Sequence, residues 1–114
     1  MPYLKIQTNV AADSARDKAF LGRISATIAE QLGKPTRYMM AAIDTDCTMN
    51  FAGNDEPLAF VELKGIGLPL SRTESLSGTL CESISTELNI PRDRIYIVFA
   101  DVPRAMWGWN GGTF

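Results

Sequence analysis

The sequence predicts an α+β domain in which two strand–helix–strand units form a four-stranded mixed sheet with both helices on one face. Three observations lead there. Apolar residues recur every fourth position in two segments, Phe20, Ile24, Ile28, Leu32 and Leu76, Leu80, Ile84, Leu88, the stripe of a helix packed along one side. Short runs of strand character flank each stripe. After each helix a proline, an arginine and an apolar run follow in order: Pro35, Arg37, Tyr38 and Pro91, Arg94, Ile95. Residue identity between the halves is weak, so they form a pseudo-repeat. A chain of 114 residues is one domain, residues 1–114, long enough for a core without disulfide staples.

Residues 3–8 alternate cleanly and read as the first strand. Asn9 to Ser14 is a loop. The first helix runs to Leu32, with Ser14 followed by Asp17 as its start and Gly33 as its stop. Pro35 blocks continuation. Residues 38–43 read as a second strand and 44–50 as a polar turn. Residues 49–52 read as a short extra strand, and 53–55 as a turn. Residues 58–63 form a third strand that ends near Gly65-Ile66-Gly67. Ser71-Arg72-Thr73-Glu74 has the S-x-x-E form of a capping box before the second helix, which Pro91 ends. Residues 95–100, Ile-Tyr-Ile-Val-Phe-Ala, carry the strongest strand signal. Two right-handed crossovers put both helices on one face of the sheet. The strands at 38–43, 58–63 and 95–100 are nearly all apolar, a pattern of burial on both faces. One small domain cannot supply the second cover, so other copies of the chain are expected to, in an obligate oligomer.

Composition closes off several functions. There is no histidine, which removes Ser–His and Cys–His nucleophile pairs, His-ligated metals and the usual neutral-pH base. The net charge is −2 and the arginines are scattered, so nucleic acid is not an expected partner. Arg92-Asp93-Arg94 reads as a solvated turn. Cys47 and Cys81 make no C-x-x-C pair and no disulfide framework; reduced thiols in the cytoplasm are expected. No run approaches the length of a membrane helix, and the first residues carry no charged leader before an apolar block, so neither membrane nor signal peptide is expected. Asp44-Thr45-Asp46 begins like a calcium loop, but Thr48 and Met49 break it. Gly65-Ile66-Gly67 lacks the third glycine of a dinucleotide fingerprint.

Three features survive. Pro2 follows the initiator Met, and methionine aminopeptidase accepts a small second residue, so the mature chain is expected to begin with a free prolyl amine. Lys34 sits just past Gly33 at a helix end, where a cation is favoured by the helix dipole. The tail holds Trp107, Trp109 and Phe114 among glycines, and it can pack into the core or line an apolar pocket.

With these, the sequence resembles the macrophage migration inhibitory factor family of the tautomerase superfamily along essentially its whole length. The resemblance rests on Pro2, Thr8-Asn9-Val10, Gly33-Lys34-Pro35, Gly53, Glu56-Pro57, Ile66-Gly67, the block Pro91-Arg92-Asp93-Arg94-Ile95-Tyr96-Ile97, Gly108-Trp109-Asn110 and Thr113-Phe114. It implies a homotrimer whose three sheets face inward as a barrel. It implies keto–enol tautomerase activity, without cofactor or metal, on phenylpyruvate-like aromatic 2-keto acids and dopachrome analogues. In the implied site Pro2 is the general base, Lys34 holds the substrate carboxylate and the Ile66 backbone N–H binds an oxygen. Tyr96 donates toward the aryl end from a neighbouring subunit, and Tyr38, Trp109 and Phe114 form apolar walls.

The chain departs from the family pattern at several points. The family's C-x-x-C falls at Leu58-Ala59-Phe60-Val61, so its thiol–disulfide activity is expected to be absent. Val98 stands where the family carries asparagine, which removes a polar pocket contact. Tyr3 and Trp107 are bulkier than the family's residues and are expected to narrow the pocket mouth. The family also includes cytokines released without a signal peptide, so a receptor-binding protein with incidental catalysis is the alternative function, with a receptor protein as its partner.

Overall fold

The computed structural model describes residues 1–114. Its elements in order are β1 (Tyr3–Thr8), α1 (Ser14–Leu32), β2 (Met40–Asp44), β3 (Ala59–Gly65), α2 (Thr73–Leu88) and β4 (Ile95–Asp101). A terminal hairpin of β5 (Gly108–Trp109) and β6 (Gly112–Thr113) completes the chain. The main sheet has the order β2-β1-β3-β4. β1 and β2 are parallel, β3 and β4 are parallel, and β1 meets β3 antiparallel at the centre. Each half therefore supplies one parallel pair closed by its own crossover helix.

The core lies between the helices and one face of this sheet. Leu4 and Ile6 of β1 and Val61 and Leu63 of β3 meet Phe20, Ile24 and Ile28 of α1 and Leu76, Leu80, Ile84 and Leu88 of α2. Both expected stripes pack into this core, with Leu32 only partly buried, and full burial of each such side chain contributes about 1.5–3 kcal/mol. Thr8 is the polar member of this layer. Its hydroxyl donates to the Leu58 carbonyl at 2.7 Å and accepts from the Val10 N–H at 3.1 Å, so its burial leaves nothing unpaired. Between the helices Gln31 Nε2 donates to Thr79 Oγ1 at 2.8 Å.

Several boundaries differ from the sequence expectation. α1 is capped by Asp13, not Ser14: the Asp13 carboxylate accepts from the Arg16 N–H at 3.1 Å. Asp17 folds back to accept from the Asp13 N–H at 3.1 Å, which closes the first turn reciprocally. The Ser71–Glu74 capping box does not form. Leu70–Arg72 makes a 3-10 turn after Pro69, so Ser71 lies too early and the helix starts at Thr73 without a side-chain cap. α2 ends at Asn89 in the left-handed region, φ 59°, before Pro91 is reached. β2 starts at Met40 because Thr36–Tyr38 forms a 3-10 turn after Pro35. The extra strand at 49–52 reduces to one bridge between Phe51 and Asn54, since Ala52 and Gly53 have positive φ and bend the chain at once.

The reading of strands apolar on both faces also needs correction. On the open face the register places Lys5 against Glu62 and Tyr3 against Lys64, with Gln7 beside Asp44, so its middle is polar. Lys5 Nζ lies 3.4 Å from Asp44 Oδ2. Within the main sheet the exposed large apolar side chains lie instead on the two edge strands: Met40 on β2 is 65% exposed, and Tyr96 and Val98 on β4 are 63% and 48% exposed. Both edges carry unpaired backbone groups as well. No helix is long and apolar enough to cross a membrane.

Candidate active site

Pro2 is buried at the start of β1, and its carbonyl accepts from the Met40 N–H at 3.1 Å, adding a rung to the β1–β2 ladder. Two depressions meet at this residue. On one side is an open, mostly apolar cavity of about 700 Å³ that Tyr3, Tyr38, Trp107, Trp109 and Phe114 help to line. On the other is a small cleft formed with Lys34, Gly65, Ile66 and Gly67.

Local sequence builds both sides. Asn110 and Gly111 take positive φ, 51° and 80°, the conformation of a tight hairpin turn. That turn stacks Trp109 on Phe114, with ring centroids 5.5 Å apart and planes 13° apart. Tyr38 stands edge-on to both, at 5.9 Å and 6.0 Å, so three rings make one continuous wall. On the cleft side Gly33, φ 65°, ends α1 in a Schellman arrangement: the Gly33 N–H bonds the Glu30 carbonyl and the Lys34 N–H bonds that of Ala29. This fixes where Lys34 leaves the helix. The turn after β3 is held from β4, since Asp101 Oδ1 accepts from the N–H groups of Gly67 and Leu68 at 2.9 and 3.1 Å. Asp101→Ala is expected to cost about 1–2 kcal/mol, with hydrogen exchange accelerated at Gly67 and Leu68 and unchanged in the α1 core; unchanged protection at both amides would show that the turn holds itself.

The amino terminus also lies at this site. The chain carries Met1, whose amine donates to the Tyr38 carbonyl at 3.0 Å. Burial, and then the positive charge of Lys34, hold this amine below the ordinary value of an amino terminus.

Tyr96 and Val98 lie outside both depressions. Tyr3 pairs with Lys64, Lys64 with Ala100, and Tyr96 with Phe60. Tyr96 is thus four residues back along the strands, about 13 Å along their direction at 3.3 Å per residue and two strands across from Tyr3, where it packs on Phe51 with centroids 4.7 Å apart. Leu58, Ala59 and Val61, at the C-x-x-C position, are buried in apolar surroundings and carry no thiol; Cys47 and Cys81 are free. Arg37, Met40, Lys64 and Met106 also line the aromatic cavity, and sequence reasoning did not find them. Alternation along β3 puts Lys64 on the open face, but only the β1–β3 register places it opposite Tyr3.

The model of the macrophage migration inhibitory factor family matches residues 1–114. This chain belongs to the macrophage migration inhibitory factor family. It is 36% identical to the Xenopus laevis macrophage migration inhibitory factor over 115 residues, covering 100% of this chain and 99% of the relative. The crystal structure of the homologue from Prochlorococcus marinus is similar at TM-score 0.95 and 45% identity, with 98% of each chain covered. The Trichinella spiralis family structure is similar at TM-score 0.90 and 34% identity, covering 98% of this chain and 99% of that one. The family lies within the tautomerase superfamily, and its fold is the two-helix, four-stranded arrangement described above.

Proposed function

We propose that this protein is a homotrimeric, cofactor-independent keto–enol tautomerase of phenylpyruvate-like 2-keto acids, with dopachrome-type compounds as a second substrate class. The observation that carries the reading is the burial of Pro2 where an aromatic cavity meets a lysine-bearing cleft. Removal of Met1 puts the free amine on Pro2, where burial and Lys34 again disfavour its charged form. The neutral amine takes a proton from the carbon next to the ketone. The C–H electron pair becomes the enol double bond, and the ketone oxygen receives a proton from the prolinium. Lys34 holds the carboxylate, the Ile66 N–H binds an oxygen of the same substrate, and the ring rests against Tyr38, Trp109 and Phe114. Tyr3 and Trp107 narrow the entrance.

The exposed edges support the trimer. Apolar exposure on β2 and β4 favours edge-to-edge assembly, and the polar middle of the open face suits a hydrated lumen. Such assembly also brings a neighbour's Tyr96, with Val98 beside it, toward the aryl end of each site. The test is the rate of phenylpyruvate ketonisation against pH on Met1-free protein. Burial and Lys34 disfavour the charged amine, so the rate is expected to reach its plateau below the pH at which an ordinary amino terminus loses its proton. Below that plateau it is expected to fall tenfold per pH unit as the amine protonates. A rate that climbs only above the ordinary amine range would reject Pro2 as the base.

The curated relatives are named for action on macrophages, which supports a second reading: a cytokine-like protein that acts from the cytoplasm or after leader-independent secretion on a receptor protein. Direct binding to a family receptor by a catalytically silent variant would favour it.

A further inference from the structure

We propose that the site takes a dianionic substrate, a 2-keto acid whose far end carries a second carboxylate. The inference rests on the tautomerase reading and narrows its substrate class. Three cationic side chains surround Pro2: Lys34 on the cleft, and Arg37 and Lys64 on the aromatic cavity. No aspartate or glutamate lines either depression. None of the three cations belongs to an ion pair of the chain, while Lys5, Arg16, Arg23 and Arg92 each have an acidic partner. The whole chain has a net charge of −2, so this local excess of positive charge runs against the overall balance. An anion that enters meets a positive local potential not spent on any internal partner.

One carboxylate is accounted for by Lys34. Phenylpyruvate then presents a bare ring to the cavity and gives Arg37 and Lys64 nothing to bind. Arg37 is held where it can act: its guanidinium carbon lies 4.9 Å from the centre of the Tyr38 ring, and Tyr38 is fixed edge-on by Trp109 and Phe114. A ring-face contact leaves the guanidinium N–H donors free to take a carboxylate with two parallel hydrogen bonds. Lys64, half-buried and opposite Tyr3, adds a point charge from the sheet side. A continuous aromatic wall with cations at its border fits a flat acyl chain or ring that ends in a second carboxylate.

The experiment compares phenylpyruvate with para-carboxyphenylpyruvate on Met1-free protein, reading binding by quenching of Trp107 and Trp109 fluorescence and turnover by enol absorbance. The diacid is expected to bind about tenfold more tightly, the product of one exposed ion pair (Arg37) and one half-buried pair (Lys64) of about threefold each, and the advantage should shrink as salt is raised. In the Arg37→Gln, Lys64→Gln double variant the two acids should bind alike, and each single variant should lose about threefold of the preference. Equal affinities in the unaltered protein, or a preference that survives in the double variant, would overturn the proposal. Tighter diacid binding without turnover of either acid would support this inference and overturn the tautomerase reading instead.

Discussion

Protein that keeps Met1 is expected to ketonise phenylpyruvate at least about a hundredfold more slowly than protein that has lost it, the lower end of what a positioned general base contributes. In the longer chain the Pro2 nitrogen is an amide, its lone pair is delocalised into the carbonyl, and it has no useful basicity. The Met1 amine cannot substitute cleanly, because it lies one residue outward and donates to the Tyr38 carbonyl. Met1 itself also occupies part of the cavity lining. Intact mass and rate measured on the same samples make the comparison, with Pro2→Gly as a control that keeps an amine but loses the ring that orients it. The Gly variant should remain trimeric and be strongly slowed. Equal rates with and without Met1 would remove Pro2 from the mechanism.

Arg94→Ala is expected to destabilise the fold by about 2–3 kcal/mol, lowering the melting temperature by roughly 10 °C. The Arg94 guanidinium donates to four backbone carbonyls: Pro57 through Nε at 3.0 Å, Phe51 through Nη1 at 3.2 Å, and Asn54 and Glu56 through Nη2 at 3.3 and 3.0 Å. It also lies over the Phe51 ring, 5.3 Å from its centre. The segment between β2 and β3 has little regular structure, and this side chain, with Asn9 bonding Asp55 and Leu58, stands in for the ladder it lacks. Arg94→Lys should recover only a minor part of the loss, since one ammonium cannot reach carbonyls spread over seven residues. Thermal unfolding of the three proteins decides it; an unchanged midpoint in the alanine variant would mean that the loop packs without its clamp.

The two helices and β1 were readable because periodicity needs only local information: Phe20, Ile24 and Ile28 share a face whatever they pack against. Helix starts were less readable. Asp13, Ser14 and Ser71 are all good caps in isolation, and the choice among them depends on the turn that delivers the chain, which for α2 is the 3-10 turn after Pro69. The open face was misread because short apolar runs do not reveal which residues point which way until the register is known; Lys5 and Glu62 then turn out to face each other. In the site, Pro2, Lys34 and the aromatic tail were legible through motif resemblance. Arg37 and Lys64 were not, because nothing in a linear sequence brings residue 64 beside residue 3.

The separation of Tyr96 from Pro2 along the sheet has a genetic meaning. If each site draws its base from one copy and its tyrosine from the next, a defect at either position is not confined to the copy that carries it. Mixing a Pro2→Gly chain with a Tyr96→Phe chain should give mixed assemblies in which some sites inherit both intact residues, and activity above the sum of the separate pools. Other sites inherit both faults, so one altered allele can depress the output of an unaltered one.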